Sequence, residues 1–281
     1  MDKTGKYCYA IVLAAGSGSR MHSTTAKQFM TLGNRPLLYY SLQAMEQSAV
    51  IDACILVTGK ADLDYVRQEI VAGYGFRKVT AVVEGGRERH QSVWNALQVI
   101  AGKGEDRGPG SNEKTRNMAE PGSMVKKRAG NSRKSDREEY VFIQDSARPF
   151  LTEKILQDTF ADVCQYRACV AAVPVKDTVK LADGEGFASE TPDRSLVWSV
   201  QTPQVFERDL IVGAYGRLQQ EMPGLAARGM TVTDDAGVVE LFGGCKVRLT
   251  PASYENIKIT TPEDIQVAEA FLKNQILLQK K

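Results

Sequence analysis

The chain has 281 residues, of which 43% are hydrophobic and 25% are charged, and its formal net charge is +2. A chain of this length and composition can bury the core of one large α/β domain. The charge is too evenly balanced to indicate nucleic-acid binding, and no apolar run approaches the ~20 residues of a membrane span. With no cleavage site behind its charged first residues, the sequence predicts a cytoplasmic protein.

Short apolar runs alternate with helical patterns along most of the chain. This alternation is typical of β-α-β units and predicts an α/β fold, with a mostly parallel sheet in a single domain spanning 1–281. Ligands bind such sheets where the carboxyl ends of the strands meet, so residues that follow strands are the functional candidates. The predicted strands are 9–13, 53–58, 78–83, 140–144, 169–174 and 246–249, and the predicted helices are 36–47, 62–71, 88–100, 152–166, one starting at 207, and 262–278.

Two segments depart from this alternation. Residues 102–139 contain no Leu, Ile or aromatic residue and carry more basic than acidic side chains. Such a segment cannot bury enough apolar surface to offset its ordering entropy, which predicts a mobile basic insertion.

Residues 175–200 instead indicate a β-hairpin with a turn at Asp183. An isolated hairpin is marginally stable in water, so we predict that this arm lies against a second subunit.

The five cysteines are an odd number, and none forms a C-x-x-C pair. Four of them fall in or beside apolar strand-like runs, and Cys164 falls on a predicted helix. Because a free thiol behaves as a small hydrophobic side chain, we interpret the cysteines as reduced core residues. They do not imply a structural zinc ion.

The first predicted strand ends in a loop of small residues, Ala14-Ala15-Gly16-Ser17-Gly18-Ser19. Backbone N–H groups of such a loop can approach an anion closely, and glycine can adopt positive φ angles there. The cations Arg20 and Lys27 follow within reach of the same space. The pattern excludes a dinucleotide fingerprint, because Met21 replaces its third glycine, and a Walker A loop, because no Gly-Lys-Ser/Thr closes it. We therefore predict a polyphosphate site.

Further candidates follow three later strands. Gly86 comes just before a helix, where backbone groups and the Ser92 hydroxyl could read the edge of a base, although the pattern also fits an ordinary β-to-α turn. Asp145 ends a buried strand, where a carboxylate can hold a divalent cation or a substrate hydroxyl. Arg148 is either a ligand or the ion-pair partner of Asp145. Lys258 follows the final strand, on the side where the other loops meet, and we expect it to be functional.

Seven motifs occur in order across nearly the whole chain, with 102–139 excepted. They resemble the 2-C-methyl-D-erythritol 4-phosphate cytidylyltransferase family, among the sugar-nucleotide transferases. The resemblance implies a Rossmann-like nucleotidyltransferase fold, a homodimer joined by the hairpin arm, Mg²⁺ as cofactor, and the conversion of CTP and methylerythritol phosphate into a cytidine diphosphate adduct and pyrophosphate. The motifs are LAAGSGSRM with Lys27-Gln28, GGRERHQSV, DSARPF, VPVKDTVK, DRSLVWSVQTPQVF, TVTDDA and NIKITTPED.

The resemblance also implies roles for individual residues. Arg20, Lys27 and Lys258 match the catalytic cations that bind the triphosphate and the α-phosphate, and Asp145 matches the acid near the metal. The expected nucleotide-binding residues are Ala14, Ala15, Gly16, Gly18, Gly86 and Ser92. The expected substrate-binding residues are Asp145, Arg148, Thr178, Arg194, Thr202, Thr233, Glu255 and Thr260, with Thr178 and Arg194 supplied by the neighbouring subunit. The chain departs from the pattern at Arg87, where some relatives carry an acid, and in the insertion.

Two alternatives remain open from the sequence. The first is a cytidylyltransferase that acts on ribitol 5-phosphate, which shares the phosphate loop and the NIKITTPED-like end. The second is a nucleotide- or RNA-binding protein without catalytic activity, an interpretation that depends on the basic insertion. The insertion has no interleaved aromatic residues on which bases could stack, which disfavours this second interpretation.

Overall fold

The computed structural model describes residues 2–16, 26–102, 137–227 and 231–279. A seven-stranded sheet runs in the order β11-β7-β10-β6-β1-β4-β5. All of its neighbouring strands are parallel except β10, which is antiparallel to both β6 and β7. The strands are β1 (Lys6–Ala14), β2 (Thr31–Leu32), β3 (Arg35–Pro36), β4 (Ala53–Thr58), β5 (Val79–Glu84), β6 (Glu138–Asp145), β7 (Ala168–Pro174), β8 (Leu181–Ala182), β9 (Ala188–Glu190), β10 (Trp198–Glu207) and β11 (Arg248–Pro251).

Helices cover both faces of this sheet, as the alternating pattern predicts. None of the helices in the described ranges is both long enough and apolar enough to cross a membrane. The helices are α1 (Leu37–Gln47), α2 (Leu63–Tyr65, continuing as a π-helix over Val66–Ala72), α3 (Arg89–Ile100), α4 (Glu153–Tyr166), α5 (Arg208–Ala227), α6 (Asp235–Phe242) and α7 (Pro262–Gln279).

The core divides into layers on the two faces of the sheet because successive side chains of a strand point to opposite faces. In β1, Ala10 and Val12 pack with α1, α2 and α4, whereas Ile11 packs with α3, α5 and α6. The first layer also contains the buried thiols of Cys8 and Cys54. Burial raises the pKa of each of these two thiols to about 12, which agrees with the prediction that they are core residues.

A third, smaller apolar cluster joins three loops that are distant in sequence. Leu32 of β2, Phe150 after β6, and Ile259 before α7 are all buried in it together with Leu37 and Ala268. Leu32 follows the turn that begins at Lys27, and Ile259 follows Lys258 directly. This cluster therefore fixes the segments that carry both lysines relative to each other.

Strand β10 is the main element that the sequence analysis missed. The predicted hairpin ends at residue 200 and the next predicted element is a helix from 207, so the sequence predicts no element between them. Pro203 lies in this segment, and proline is rare in central strands because it cannot donate to the ladder. The pairing of β10 with β7 shifts register between Val200 and Gln204, which accommodates Pro203.

The predicted insertion and arm differ in part from the observed elements. β6 begins at Glu138, where it pairs with Lys6, so the sheet includes the last two residues of the predicted segment 102–139. Most of the insertion, 103–136, lies outside the described residues. The predicted hairpin is present as the short pair of β8 and β9, and Asp183 closes its turn by accepting hydrogen bonds from two backbone N–H groups.

Candidate active site

A cavity of about 360 Å³ opens at the carboxyl ends of the parallel strands. Leu13 belongs to β1, Gly86 follows β5, and Asp145 ends β6, so the cavity is located where the sequence predicts ligand binding. Four of its lining side chains are basic and two are acidic, which favours an anionic ligand. The lining residues are Leu13, Ala15, Gly16, Lys27, Gln28, Gly86, Arg87, Glu88, Arg89, Ser92, Asp145, Ser146, Ala147 and Lys258.

The wall formed by the loop after β5 is packed closely against the loop after β1. A Cβ atom placed on Gly85 would lie 2.3 Å from Cβ of Ala15 and 3.0 Å from Oγ of Ser92, so only glycine fits there. The N–H of Gly86 donates to Oγ of Ser92 over 3.0 Å, which ties this loop to helix α3. The loop after β1 and the loop after β5 are therefore in direct contact beside the cavity.

Helix α3 begins at the cavity wall. Glu88 caps the helix, and Gln91 completes a capping box by accepting from the N–H groups of Arg87 and Glu88 over 2.9 and 3.2 Å. The N-terminus of a helix carries a partial positive charge that favours anions. The wall that contains Arg87, Glu88 and Arg89 therefore adds to the attraction of an anionic ligand.

Asp145 lies between two cations in the cavity. Its Oδ2 accepts from Nζ of Lys258 over 2.6 Å, and its Oδ1 lies 3.5 Å from Nε of Arg89. Burial by itself would raise the pKa of this carboxyl, but Arg89, Lys258 and Arg148 together outweigh it and lower the pKa to about 2. Asp145 is therefore an anion throughout the physiological pH range.

Lys258 reaches Asp145 because the chain after β11 is held against the loop after β6. The N–H of Ile259 donates to the carbonyl oxygen of Ala147 over 2.8 Å, and the Ile259 side chain is fully buried. The alternation of Ile257, Lys258 and Ile259 thus directs the apolar side chains towards the core and the lysine into the cavity.

Comparison with known proteins identifies the family. The model of the 2-C-methyl-D-erythritol 4-phosphate cytidylyltransferase family matches residues 8–106 and 127–274. The chain belongs to this family. A relative of that name from Lachnospira eligens is 46% identical, with 94% of this chain and 98% of the relative covered, and one from Lachnoclostridium phytofermentans is 40% identical, with 94% and 95% covered.

The fold comparison agrees with the family assignment. The crystal structure of 4-diphosphocytidyl-2C-methyl-D-erythritol synthase from Anaerococcus prevotii is similar with a TM-score of 0.70 at 30% identity, covering 96% of this chain and 97% of that one. The chain is therefore an enzyme of the nucleotidyltransferase class, and neither the ribitol phosphate alternative nor the non-catalytic one is favoured. The two ranges matched by the family leave 107–126 unmatched, and this segment lies within the predicted insertion.

The structure brings several of the residues predicted for this family together. Lys27 and Lys258 line one cavity although they come from opposite parts of the sequence, and Asp145 lies in the same cavity. Ala14 is buried at the end of β1, directly before the lining residues that follow that strand. Arg20 and Gly18 lie outside the described residues. The other predicted residues that line the cavity are Ala15, Gly16, Gly86 and Ser92.

Two predicted ligands lie beneath the cavity. Arg148 is buried and donates from Nη1 to the carbonyl oxygen of Asn256 over 2.7 Å, so it forms no direct ion pair with Asp145. Thr202 is also buried, and its Oγ1 accepts from the backbone N–H of Asp145 over 3.1 Å. These two contacts therefore hold the end of β6 and the loop that follows it in place.

The remaining predicted ligands do not line this cavity. Thr233 lines a separate cavity of about 80 Å³ beside helix α3, and Glu255 is exposed. The hydroxyl of Thr260 donates to the carbonyl oxygen of Lys258 over 3.1 Å. Thr178 and Arg194 both lie exposed on the arm, where Arg194 donates to the carbonyl oxygen of Lys176 over 3.1 Å.

Arg89 and its partner Asp235 are not among the residues predicted for the site from the sequence. Arg89 lines the cavity and forms two hydrogen bonds with the fully buried Asp235, although the two residues are 146 positions apart. Burial opposes the positive charge of Arg89, but Asp235 and Asp145 outweigh it and raise the pKa of the guanidinium. Arg89 belongs to the GGRERHQSV motif, but no local pattern indicates that its partner lies in TVTDDA.

Proposed function

We propose that the chain transfers CMP from CTP to 2-C-methyl-D-erythritol 4-phosphate, giving 4-diphosphocytidyl-2-C-methyl-D-erythritol and pyrophosphate in isoprenoid precursor biosynthesis. One observation carries this proposal: Lys27 and Lys258 line the same cavity together with Asp145 and the glycine loops. Two lysines at one end of a parallel sheet suit a ligand with several phosphate groups. The names of the relatives supply the identity of that ligand and of its acceptor.

The chemistry that this reaction requires matches the side chains present. An oxygen of the methylerythritol phosphate attacks the α-phosphorus of CTP, and the bond from that phosphorus to the bridging oxygen breaks as pyrophosphate leaves. A phosphate monoester has a second pKa of about 6, so it is already ionised at neutral pH and needs no general base. The chain contains only two histidines, which fits a reaction without acid–base catalysis.

The two lysines have the central role in this proposal. Lys27 and Lys258 reduce the repulsion between the attacking phosphate and the triphosphate, and they stabilise the charge that builds up on the oxygens of the α-phosphorus. Arg20 is proposed as a third cation of this group. The backbone around Ala15, Gly16 and Gly86, with the hydroxyl of Ser92, is proposed to hold the nucleoside.

A magnesium ion fits this site through Asp145. Mg²⁺ is usually bound by one or two carboxylates plus substrate phosphates rather than by an all-protein cage. Among the described residues, no group of three or more His, Cys, Asp or Glu side chains could hold a metal ion alone. Asp145 would therefore hold Mg²⁺ jointly with the nucleotide phosphates. When bound, the ion would offset negative charge on the triphosphate.

The acceptor phosphate is proposed to bind at the cavity mouth, with Thr178 and Arg194 contributed by a second copy of the chain. The exposed arm supports a homodimer, because Leu181, Phe187 and Leu196 expose 48%, 67% and 78% of their surfaces. Large apolar side chains that stay exposed in one segment are typical of a surface that contacts a partner. We further propose that the enzyme is cytoplasmic.

A pyrophosphate-release assay tests the proposed function directly. The purified chain is mixed with CTP and Mg²⁺, and then with either methylerythritol phosphate or ribitol 5-phosphate at equal concentration. We expect pyrophosphate release with methylerythritol phosphate at a kcat/KM at least about tenfold higher than with ribitol 5-phosphate. Faster release with ribitol 5-phosphate would replace the proposed acceptor, and no release with either would refute the proposed reaction.

A further inference from the structure

The guanidinium of Arg89 is held in a fixed orientation on the side away from the cavity. Nη1 donates to Oδ1 of Asp235 over 2.9 Å, and Nη2 donates to Oδ2 over 2.7 Å. A planar guanidinium that binds a carboxylate through two parallel hydrogen bonds cannot rotate without breaking both. Arg89 is therefore not available to turn towards a phosphate group.

Asp235 is itself fixed by two further elements. Its Oδ1 accepts from the hydroxyl of Tyr215 in α5 over 2.5 Å, and its backbone N–H donates to Oε1 of Gln204 in β10 over 3.0 Å. Asp235 and Tyr215 are both fully buried. Charged groups at such depth need satisfied partners, and this network supplies them.

The fixed guanidinium presents its Nε to the catalytic cavity. This atom lies 3.5 Å from Oδ1 of Asp145, while Oδ2 of the same carboxylate binds Nζ of Lys258 at 2.6 Å. The two cations that flank Asp145 therefore differ in kind. Arg89 is anchored by a buried network, whereas Lys258 is at the end of a flexible four-carbon stem and its side chain is 38% exposed.

We propose that Arg89, anchored by Asp235 and Tyr215, is a positioning residue that holds the Asp145 carboxylate in place when Lys258 turns towards the nucleotide. This inference rests on the proposed function, in which Lys258 contacts the α-phosphate. An ammonium group has three N–H donors, so a Lys258 side chain that turns towards a phosphate shares its charge between two anions and holds Asp145 less tightly than at 2.6 Å. Without Arg89, the buried carboxylate would lose its anchored partner as Lys258 turns away. Its position would then depend on the mobile lysine and on the Mg²⁺ proposed to arrive with the nucleotide.

Three substitutions test the network at different points. Asp235→Asn removes the negative charge that anchors Arg89. Arg89→Lys keeps the positive charge but loses the paired hydrogen bonds to Asp235. Tyr215→Phe removes one hydrogen bond to Asp235. A displacement of about 1 Å in a catalytic group can reduce turnover by about 10²-fold. We expect kcat to fall by about 10- to 100-fold in Asp235→Asn and Arg89→Lys, and by a few-fold in Tyr215→Phe, with little change in the KM for CTP.

The assay separates positioning from simple loss of folded protein. Pyrophosphate release is normalised to the number of CTP-binding sites, counted by titration calorimetry, so that unfolded molecules do not lower kcat. Arg208→Lys is the matched control, because Arg208 is also ion-paired, with Glu139, and its side chain is 26% exposed against 30% for Arg89. Arg208 does not line the cavity. We expect this control to retain the wild-type kcat.

A double substitution decides whether Asp235 acts through Arg89. If it does, Arg89→Lys combined with Asp235→Asn will have about the same kcat as Arg89→Lys alone, because coupled residues are not additive. Additive losses, or normalised kcat values equal to wild type in the single variants, would overturn the inference. If Asp235→Asn does not fold, Tyr215→Phe combined with Arg89→Lys provides the same comparison. An inactive wild-type enzyme would refute the proposed function instead.

Discussion

Replacing Lys258 by alanine gives the sharpest test of the proposed chemistry. This side chain is the only direct contact between the segment after β11 and Asp145 among the described hydrogen bonds. Alanine removes the ammonium group but leaves the backbone hydrogen bond of Ile259 to Ala147, so the segment should stay in place. The substitution therefore removes one charge from the cavity with little other change.

The size of the expected loss in kcat follows from the ion pair that Lys258 forms with Asp145 in the free enzyme. In the free enzyme its charge is already neutralised by Asp145 at 2.6 Å, so binding CTP exchanges one anionic partner for another and adds little net affinity. In the transition state the α-phosphate oxygens gain charge, and the lysine then contributes fully. Removing one preorganised donor typically lowers kcat by about 10²–10³-fold, or about 3–4 kcal/mol. We expect this loss in kcat, with the KM for CTP changed by less than about threefold.

The assay is steady-state pyrophosphate release over a range of CTP concentrations at saturating methylerythritol phosphate. Lys154→Ala is the matched control, because Lys154 forms a similar lysine–aspartate pair with Asp158 at 2.7 Å on the exposed surface of α4. The control should keep both constants. A Lys258→Ala enzyme with normal kcat and a raised KM would show that the lysine binds the ground state and transition state equally, which contradicts the proposed role.

Three further predictions follow from the structure. The pKa of Asp145 is about 2 against an ordinary 3.8, so its ionised form stabilises the fold above pH 4 by about 2 kcal/mol, and this stabilisation is lost as the pH falls through 2. The free energy of unfolding in urea should therefore depend less on acid pH in Asp145→Asn than in wild type. Equal pH dependences in the two proteins would contradict this prediction. Gly85→Ala should lower stability by about 1–3 kcal/mol and raise the KM for CTP, because its Cβ would overlap that of Ala15, whereas Gly213→Ala, which meets no atom within 4 Å, should do neither. Deleting 107–126 should leave pyrophosphate release and the thermal midpoint unchanged, since the family match does not include this segment, and a large loss of either would give the insertion a role.

Much of the fold could be predicted from the sequence because hydrophobic periodicity reports directly on strands and helices. The central strands are continuous apolar runs that are buried on both faces, and such runs need no information from distant residues. β10 could not be found in this way, since Pro203 interrupts its pattern and its pairing partners lie elsewhere in the chain. Its place in the sheet is set by tertiary contacts with β6 and β7.

The candidate site was predictable only where a local pattern carries the chemistry. Lys258 stands out because two isoleucines flank it, and Asp145 because it ends a buried strand. Asp235 has no such signal, since a carboxylate at the first turn of a helix is usually explained by capping and the helix dipole. The residue that caps α6 is instead Asp234, whose carboxylate accepts from the N–H of Gly237 over 3.0 Å. The role of Asp235 emerges only when folding brings Arg89 beside it.

Helix α7 packs against the small apolar cluster around Leu32, Phe150 and Ile259, so the activity of the enzyme depends on this helix staying in place. Ala268 of α7 is fully buried in this cluster, and the cluster lies apart from the two large layers against the sheet. Regions with few apolar contacts open at lower free energy than the core does. On gentle heating, the enzyme should therefore become inactive through detachment of this helix while the sheet is still intact, and cooling should restore full turnover.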